Sequence, residues 1–211
     1  MRRSLLQGLL FATLAAAGAC GSDDLPLVAP TPPILAVTET FTGTLTVNGA
    51  VTFPFTVGQA GSANATLKTL QPQLTLRTSA GGTGTYVVGE TIYVGDSLDT
   101  ATGTATVYAW LPGSNALLLD GLVGTVPIDS ILVGATSNAR WVNQEVTTTS
   151  VGIALGTWSG TTCSVVLAND LSGVGGAVTG AVQGAGSLCA RVYDVGRLLA
   201  PSTFTIEVSH F

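Results

Sequence analysis

From Thr38 onward the chain repeats one texture. Five to ten residues rich in Thr, Val and Ala run in alternation, and Gly, Asn or Pro then breaks the run. Thr and Val favour extended backbone, while Gly and Asn supply the conformations that turns need. Only 9% of residues are charged and hydropathy is high, a combination that suggests a membrane protein, yet no 18-residue apolar run follows residue 20, so no second membrane span is expected. The reading is an all-β protein built from many short antiparallel strands.

The strands can be placed one by one. Thr40–Val47 alternates and is followed by Asn48-Gly49, a signal for a two-residue hairpin. Val51–Val57 returns with Val51, Phe53, Phe55 and Val57 on one face, and Pro54 marks an edge or a bulge. Ala63–Leu70 is a third strand, with Ala65, Leu67 and Thr69 assigned inward. Toward the C-terminus, Val151–Trp158 reads as a buried strand, with Trp158 in the core. Thr162–Leu167 follows, with a turn at Asn169-Asp170, and then Ala177–Val182, Ser187–Asp194 and Phe204–Val208. That makes eight short strands with turn signals between them, the pattern of a β-sandwich. Arg191 and Asp194 frame Tyr193 and are expected to pair locally.

The N-terminus specifies a location. Arg2 and Arg3 precede an apolar run from Leu5 that ends in Leu14-Ala15-Ala16-Ala17-Gly18-Ala19-Cys20. A basic start, an apolar stretch and a small-residue exit make a secretory signal. With Cys at the exit, the segment resembles a bacterial lipoprotein signal, in which Cys20 becomes the acylated first residue, although Ala17 stands where Leu is commonest. Gly21 follows Cys20 where inner-membrane lipoproteins often carry Asp, which favours the outer membrane. Residues 1–19 are then the signal peptide. Residues 20–37, with Pro26, Pro30, Pro32 and Pro33, form an extended tether. Lipid on Cys20 leaves Cys163 and Cys189 as an even pair, free to bridge in an oxidising compartment.

Several segments carry a family resemblance. Phe41-Thr42-Gly43-Thr44-Leu45, Phe53-Pro54-Phe55-Thr56-Val57 and Ala65-Thr66-Leu67 resemble the opening of small exported domains of the bacterial pre-peptidase C-terminal type. Leu155–Cys163 and Gly186–Gly196 resemble a lipoprotein subgroup with that fold, with Leu188 and Cys189 replacing its aromatic position. The resemblance covers 38–71 and 148–211. It implies a jelly-roll-like antiparallel β-sandwich and export, and it carries over no catalytic residue.

Residues 72–147 do not fit that pattern and read as an inserted β-module. Val87–Ser97 is echoed 39 residues on by Val126–Thr136; both copies share an acidic residue, Thr or Ser, Ile, any residue, Val and Gly. Between the copies lie strands Gly103–Trp110 and Ala116–Leu119, joined at Pro112-Gly113-Ser114-Asn115. The segment resembles short β-modules of phage structural proteins, with Ser137-Asn138-Ala139 at the corresponding turn.

Candidate chemistry is sparse. Seven basic residues, two of them in the signal, stand against twelve acidic ones, which excludes a nucleic-acid-binding patch. The single histidine, His210, has no Gly-x-Ser-x-Gly nucleophile to serve. No cofactor is expected. Calcium at the Asp96/Asp99 or Asn169/Asp170 turns is the one metal left open, and turn formation by these side chains is the competing reading. Trp110 and Trp141 are the candidates for ligand contact, against packing within the module. The expectation is a non-enzymatic, membrane-anchored lipoprotein of the cell envelope, facing periplasm or exterior, whose insert binds an envelope protein or a polysaccharide. The alternatives are a hydrolase using paired carboxylates and a self-assembling structural component of the envelope.

Overall fold

The computed structural model describes residues 35–211. The signal segment 1–19, Cys20 and the tether up to residue 34 lie outside the described residues. Eight strands build a sandwich: β1 (Val37–Leu45), β2 (Ala50–Val57), β3 (Gly61–Gln71), β10 (Val151–Trp158), β11 (Cys163–Ser172), β12 (Ala177–Val182), β13 (Gly186–Tyr193) and β14 (Ser202–His210). Six more lie between β3 and β10: β4 (Leu74–Thr78), β5 (Thr91–Val94), β6 (Gly103–Leu111), β7 (Ala116–Gly124), β8 (Ile131–Gly134) and β9 (Arg140–Thr148). Every pairing is antiparallel.

The sandwich is a jelly roll. Its sheets run β1-β14-β3-β12 and β11-β10-β13-β2. The first of the eight strands thus pairs with the last, the second with the seventh, the third with the sixth and the fourth with the fifth, which is a long hairpin wrapped around a core. Leu45, Phe55, Leu67, Ile153, Val192, Phe204 and Ile206 fill the space between the sheets.

This wrapping corrects the first turn. β1 and β2 lie in opposite sheets, so Asn48-Gly49 is a corner and not a hairpin. The hydrogen bond closing it runs from Gly49 N–H to Thr46 O, which puts Val47 and Asn48 at its centre, and only Asn48 has positive φ (56°). A hairpin turn of the type Asn-Gly favours needs positive φ at both central residues; with only the second positive, the strands splay.

Bulges explain two further corrections. Thr205 pairs with Thr69 and Ile206 with Leu67, so Lys68 is an extra residue. Beyond it the inward phase passes from Thr69, which is exposed, to Leu70, which is buried. On β11 the strand continues through Asn169-Asp170: Asn169 pairs with Ile153, and Asp170 and Leu171 form a bulge opposite Gly152 in place of a chain reversal.

The expected buried strand is β10, at Val151–Trp158, and both its faces are covered. Val151, Ile153 and Leu155 enter the core. On the outer face Gly152, Ala154 and Gly156 pair with Tyr193, Arg191 and Cys189. A Cβ at Gly152 would stand 2.3 Å from the Tyr193 ring, so only glycine lets that ring cross β10. Its hydroxyl donates to Asp170 on β11. At the other end of the same face a Cys163–Cys189 disulfide, with Cα atoms 5.8 Å apart, also links β11 to β13. Trp158, expected in the core, is half-buried at the end of β10 and outside the core cluster.

Strands β4 to β9 form a closed barrel in the order β4-β7-β6-β5-β8-β9. Leu76, Ile92, Val94, Val107, Leu117, Leu119 and Leu132 fill it. The two echoed segments provide β5 and β8, which pair with each other, Tyr93 opposite Val133. Among the described residues no helix is long and apolar enough to cross a membrane.

Register fixes which end is which. Val37 pairs with His210 at one end of the sandwich, and Leu45 pairs with Ser202 at the other. β3 leaves from this second end, where Thr203 pairs with Gln71, and passes straight into β4. The chain comes back at the same place, where Thr149 N–H donates to Gln73 O at 2.9 Å. Nine strand residues at about 3.4 Å each separate the ends by roughly 30 Å.

Candidate functional site

Where the barrel meets the sandwich there is a cleft of ≈ 360 Å³. The outer wall of the barrel forms one side. Leu76 and Thr78 of β4 are buried, so Thr75 and Arg77 face outward. Their cross-strand partners on β9 are Thr147 and Glu145, and Leu118 of β7 lies opposite Thr75. The other side is the loop between β13 and β14, from Gly196 to Ser202.

Asp194 shapes that loop. Its Oδ1 accepts from the N–H groups of Gly196 (2.9 Å), Arg197 (2.9 Å) and Leu198 (3.2 Å). Its Oδ2 accepts from Asn48 N–H (2.8 Å), so one carboxylate clamps the loop to the β1–β2 corner. Burial pushes this carboxyl up, but the four backbone donors outweigh it and hold it below the usual range. Asp194 is therefore a loop cap and not the expected partner of Arg191. The Arg191 guanidinium lies instead 6.0 Å from the Tyr193 ring centroid. The far side of the loop is held by the Tyr108 hydroxyl, which donates to Pro201 O at 2.9 Å. Burial, with Asp120 adding to it, pushes the Tyr108 phenol up.

Two arginines enter the cleft. Arg77 Nη1 donates to Ser114 O (2.9 Å) and Arg197 Nη1 to Ser150 Oγ (3.4 Å). A guanidinium has five N–H donors, so each keeps most of its capacity. Thr149 Oγ1 is buried at the cleft without a hydrogen-bond partner. Glu145 is the one carboxylate of the lining, whereas hydrolysis by paired carboxylates needs two. The cleft suits the binding of a polar, anionic molecule.

Trp110 and Trp141 lie elsewhere, at the barrel end reached by the β6–β7 turn. Their rings are 4.9 Å apart, and Tyr86 meets Trp110 edge-on at 5.3 Å. Gly82 lies against the Trp141 indole, where a Cβ would stand 2.2 Å from the ring. Trp141 Nε1 donates to Gly84 O at 3.2 Å. The trio packs against the barrel core as a plug, and Trp141 has Gly82 and Trp110 as its neighbours.

The remaining candidates have structural partners. Glu90 is buried, and its carboxylate accepts from the N–H groups of Val87, Thr136 and Ser137 and from Ser137 Oγ, at 2.7–3.0 Å. Burial pushes it up, and these bonds reverse the shift and hold it low. His210 is buried beside Phe55, and its Nε2 donates to Glu39 at 2.9 Å. Asp96 bonds Arg140 at 3.1 Å, and Asp99 lies in the exposed turn after β5. Among the described residues no three His, Cys, Asp or Glu side chains are grouped to hold a metal.

The sequence reading missed Arg77, Glu145 and Arg197. They lie far apart in the chain and share no motif. The available signal was scarcity: outside the first three residues the chain has only Lys68, Arg77, Arg140, Arg191 and Arg197 as cations. No family model matches the chain, and neither does any curated protein.

Proposed function

We propose that this protein is an exported, non-enzymatic binding module of the bacterial envelope, anchored through lipid on Cys20 and presenting its barrel and junction cleft to a partner. The observation that carries this reading is the opposed placement of Val37 and the barrel. The tether joins the sandwich at one end, and the chain crosses into the barrel at the other. An anchor before Val37 then attaches at the end of the sandwich opposite the cleft and barrel. The jelly roll, with one sheet cross-linked by the Cys163–Cys189 bridge, lies between the two. The signal sequence, the Pro-rich tether and the resemblance to pre-peptidase C-terminal-type domains support export to the outer membrane.

The test exploits the close approach of the two crossings. Residues 74–148 are replaced by a short Gly-Ser link between Gln73 and Thr149, whose backbones are already hydrogen-bonded. The expected product keeps the disulfide and stays in the membrane fraction, but no longer retains purified envelope material. Unchanged retention without the barrel would contradict the reading.

A further inference from the structure

The protein has few cations, and their partners divide them. Lys68 Nζ lies 3.0 Å from Glu207, and Arg140 Nη2 lies 3.1 Å from Asp96. Arg191 lies over Tyr193. Arg77 and Arg197 alone have neither a carboxylate within 4 Å nor an aromatic ring beneath them, among the described residues. Both line the same cleft. Arg77 even stands opposite Glu145 in the strand register without forming an ion pair. In a chain of net charge −5, two arginines without an ion pair lining one concave surface mark a place for an anion.

The rest of the lining narrows the class. Thr75, Thr147 and Ser150 present hydroxyls, Thr147 Oγ1 donating to Glu145 at 3.3 Å and Ser150 Oγ accepting from Arg197 at 3.4 Å, and the Glu145 carboxylate keeps further lone pairs with which to accept. Two arginines and one glutamate leave a net charge of about +1, which one carboxylate neutralises. A phosphate of nearly two charges exceeds that balance and would leave the cleft net negative. Glu145 is instead matched by a ligand that donates hydroxyl hydrogens. The volume, ≈ 360 Å³, falls in the usual range of about 300–1,000 Å³ for small-ligand sites.

We infer that the junction cleft binds a hexuronate unit of an acidic polysaccharide. Arg77 and Arg197 hold its carboxylate, and Glu145 with the threonine hydroxyls takes its hydroxyl groups. This rests on the binding-module reading and assigns its ligand class.

The experiment is titration calorimetry of the intact disulfide-bonded protein with trigalacturonate, galactotriose and inorganic phosphate. The expected result is binding of trigalacturonate, with neither of the others binding comparably. Arg77→Gln and Arg197→Gln each weaken it by about tenfold or more, and Glu145→Gln weakens it less. Lys68→Gln, which removes the same charge outside the cleft, leaves it unchanged. Equal binding of galactotriose, tighter binding of phosphate, or a trigalacturonate affinity insensitive to both arginine changes would overturn the inference. The comparison among ligands needs no variant, so it holds even where a variant is unstable. If trigalacturonate does not bind but envelope material is still retained through the barrel, the ligand assignment fails and the binding-module reading stands. If neither is retained, both fail.

Discussion

Glu90 shows how much one side chain can organise. It sits just before β5, and its carboxylate satisfies the turn that follows β8, so a single residue ties the two echoed segments together. Glu90→Ala leaves buried N–H groups without acceptors and should cost about 2 kcal/mol, read from urea denaturation at neutral pH. The acid response has a defined sign. The folded carboxyl titrates below the unfolded value of about 4.3, so its stabilisation is complete above that pH and disappears as pH falls through the lower folded value. Asp194 behaves in the same way. Glu90→Gln should therefore be less stable than wild type at pH 7, and should lose less stability between pH 5 and pH 2. A steeper acid loss in the variant would contradict this. Of these two roles, the sequence showed only the acidic position of Glu90 in the echo. One of its hydrogen bonds comes from nearby Val87, but the others come from Thr136 and Ser137, some 46 residues away.

At the scale of elements, the strands were legible and their partners were not. Val151–Trp158, read as a buried run, and Ala177–Val182, read from its flanking glycines, have the boundaries the sequence reading placed. Pro54 lies on β2, an edge strand, as its missing N–H requires. Alternation reports which residues share a face, but says nothing about which strand lies alongside. Thus Asn48-Gly49 predicted a local hairpin where the jelly roll pairs β1 with β14. Bulges at Lys68 and Asp170-Leu171 were hidden for a similar reason, because each is defined against a partner strand. The face of β10 yields two tests. Cys163→Ser removes a cross-link spanning 26 residues and should cost about 3 kcal/mol, seen as a lower urea midpoint. Gly152→Ala drives a methyl into the Tyr193 ring and should cost about 1–3 kcal/mol. Burial, with the hydrogen bond to Asp170, pushes the Tyr193 phenol up to about 12, and a displaced ring should ionise closer to the ordinary value of about 10. An unaltered titration in Gly152→Ala would mean that the ring does not depend on the glycine.

At the scale of the molecule, the insert and the sandwich make a site that neither has alone. Thr75, Arg77, Glu145 and Thr147 belong to the barrel wall, and Arg197 belongs to a sandwich loop. Sequence patterning finds cores, because cores repeat with the period of a strand. A cleft at a junction has no period, and its residues were passed over in favour of Trp110 and Trp141, which pack against each other elsewhere on the barrel. The whole account turns on anchorage, since the orientation of barrel and cleft matters only if the chain is held from the end before Val37. The direct measurement is the intact mass of the protein extracted from membranes. The account predicts a chain beginning at Cys20 that carries acyl groups and gains two protons on reduction. A soluble chain with an unmodified Cys20 would contradict it.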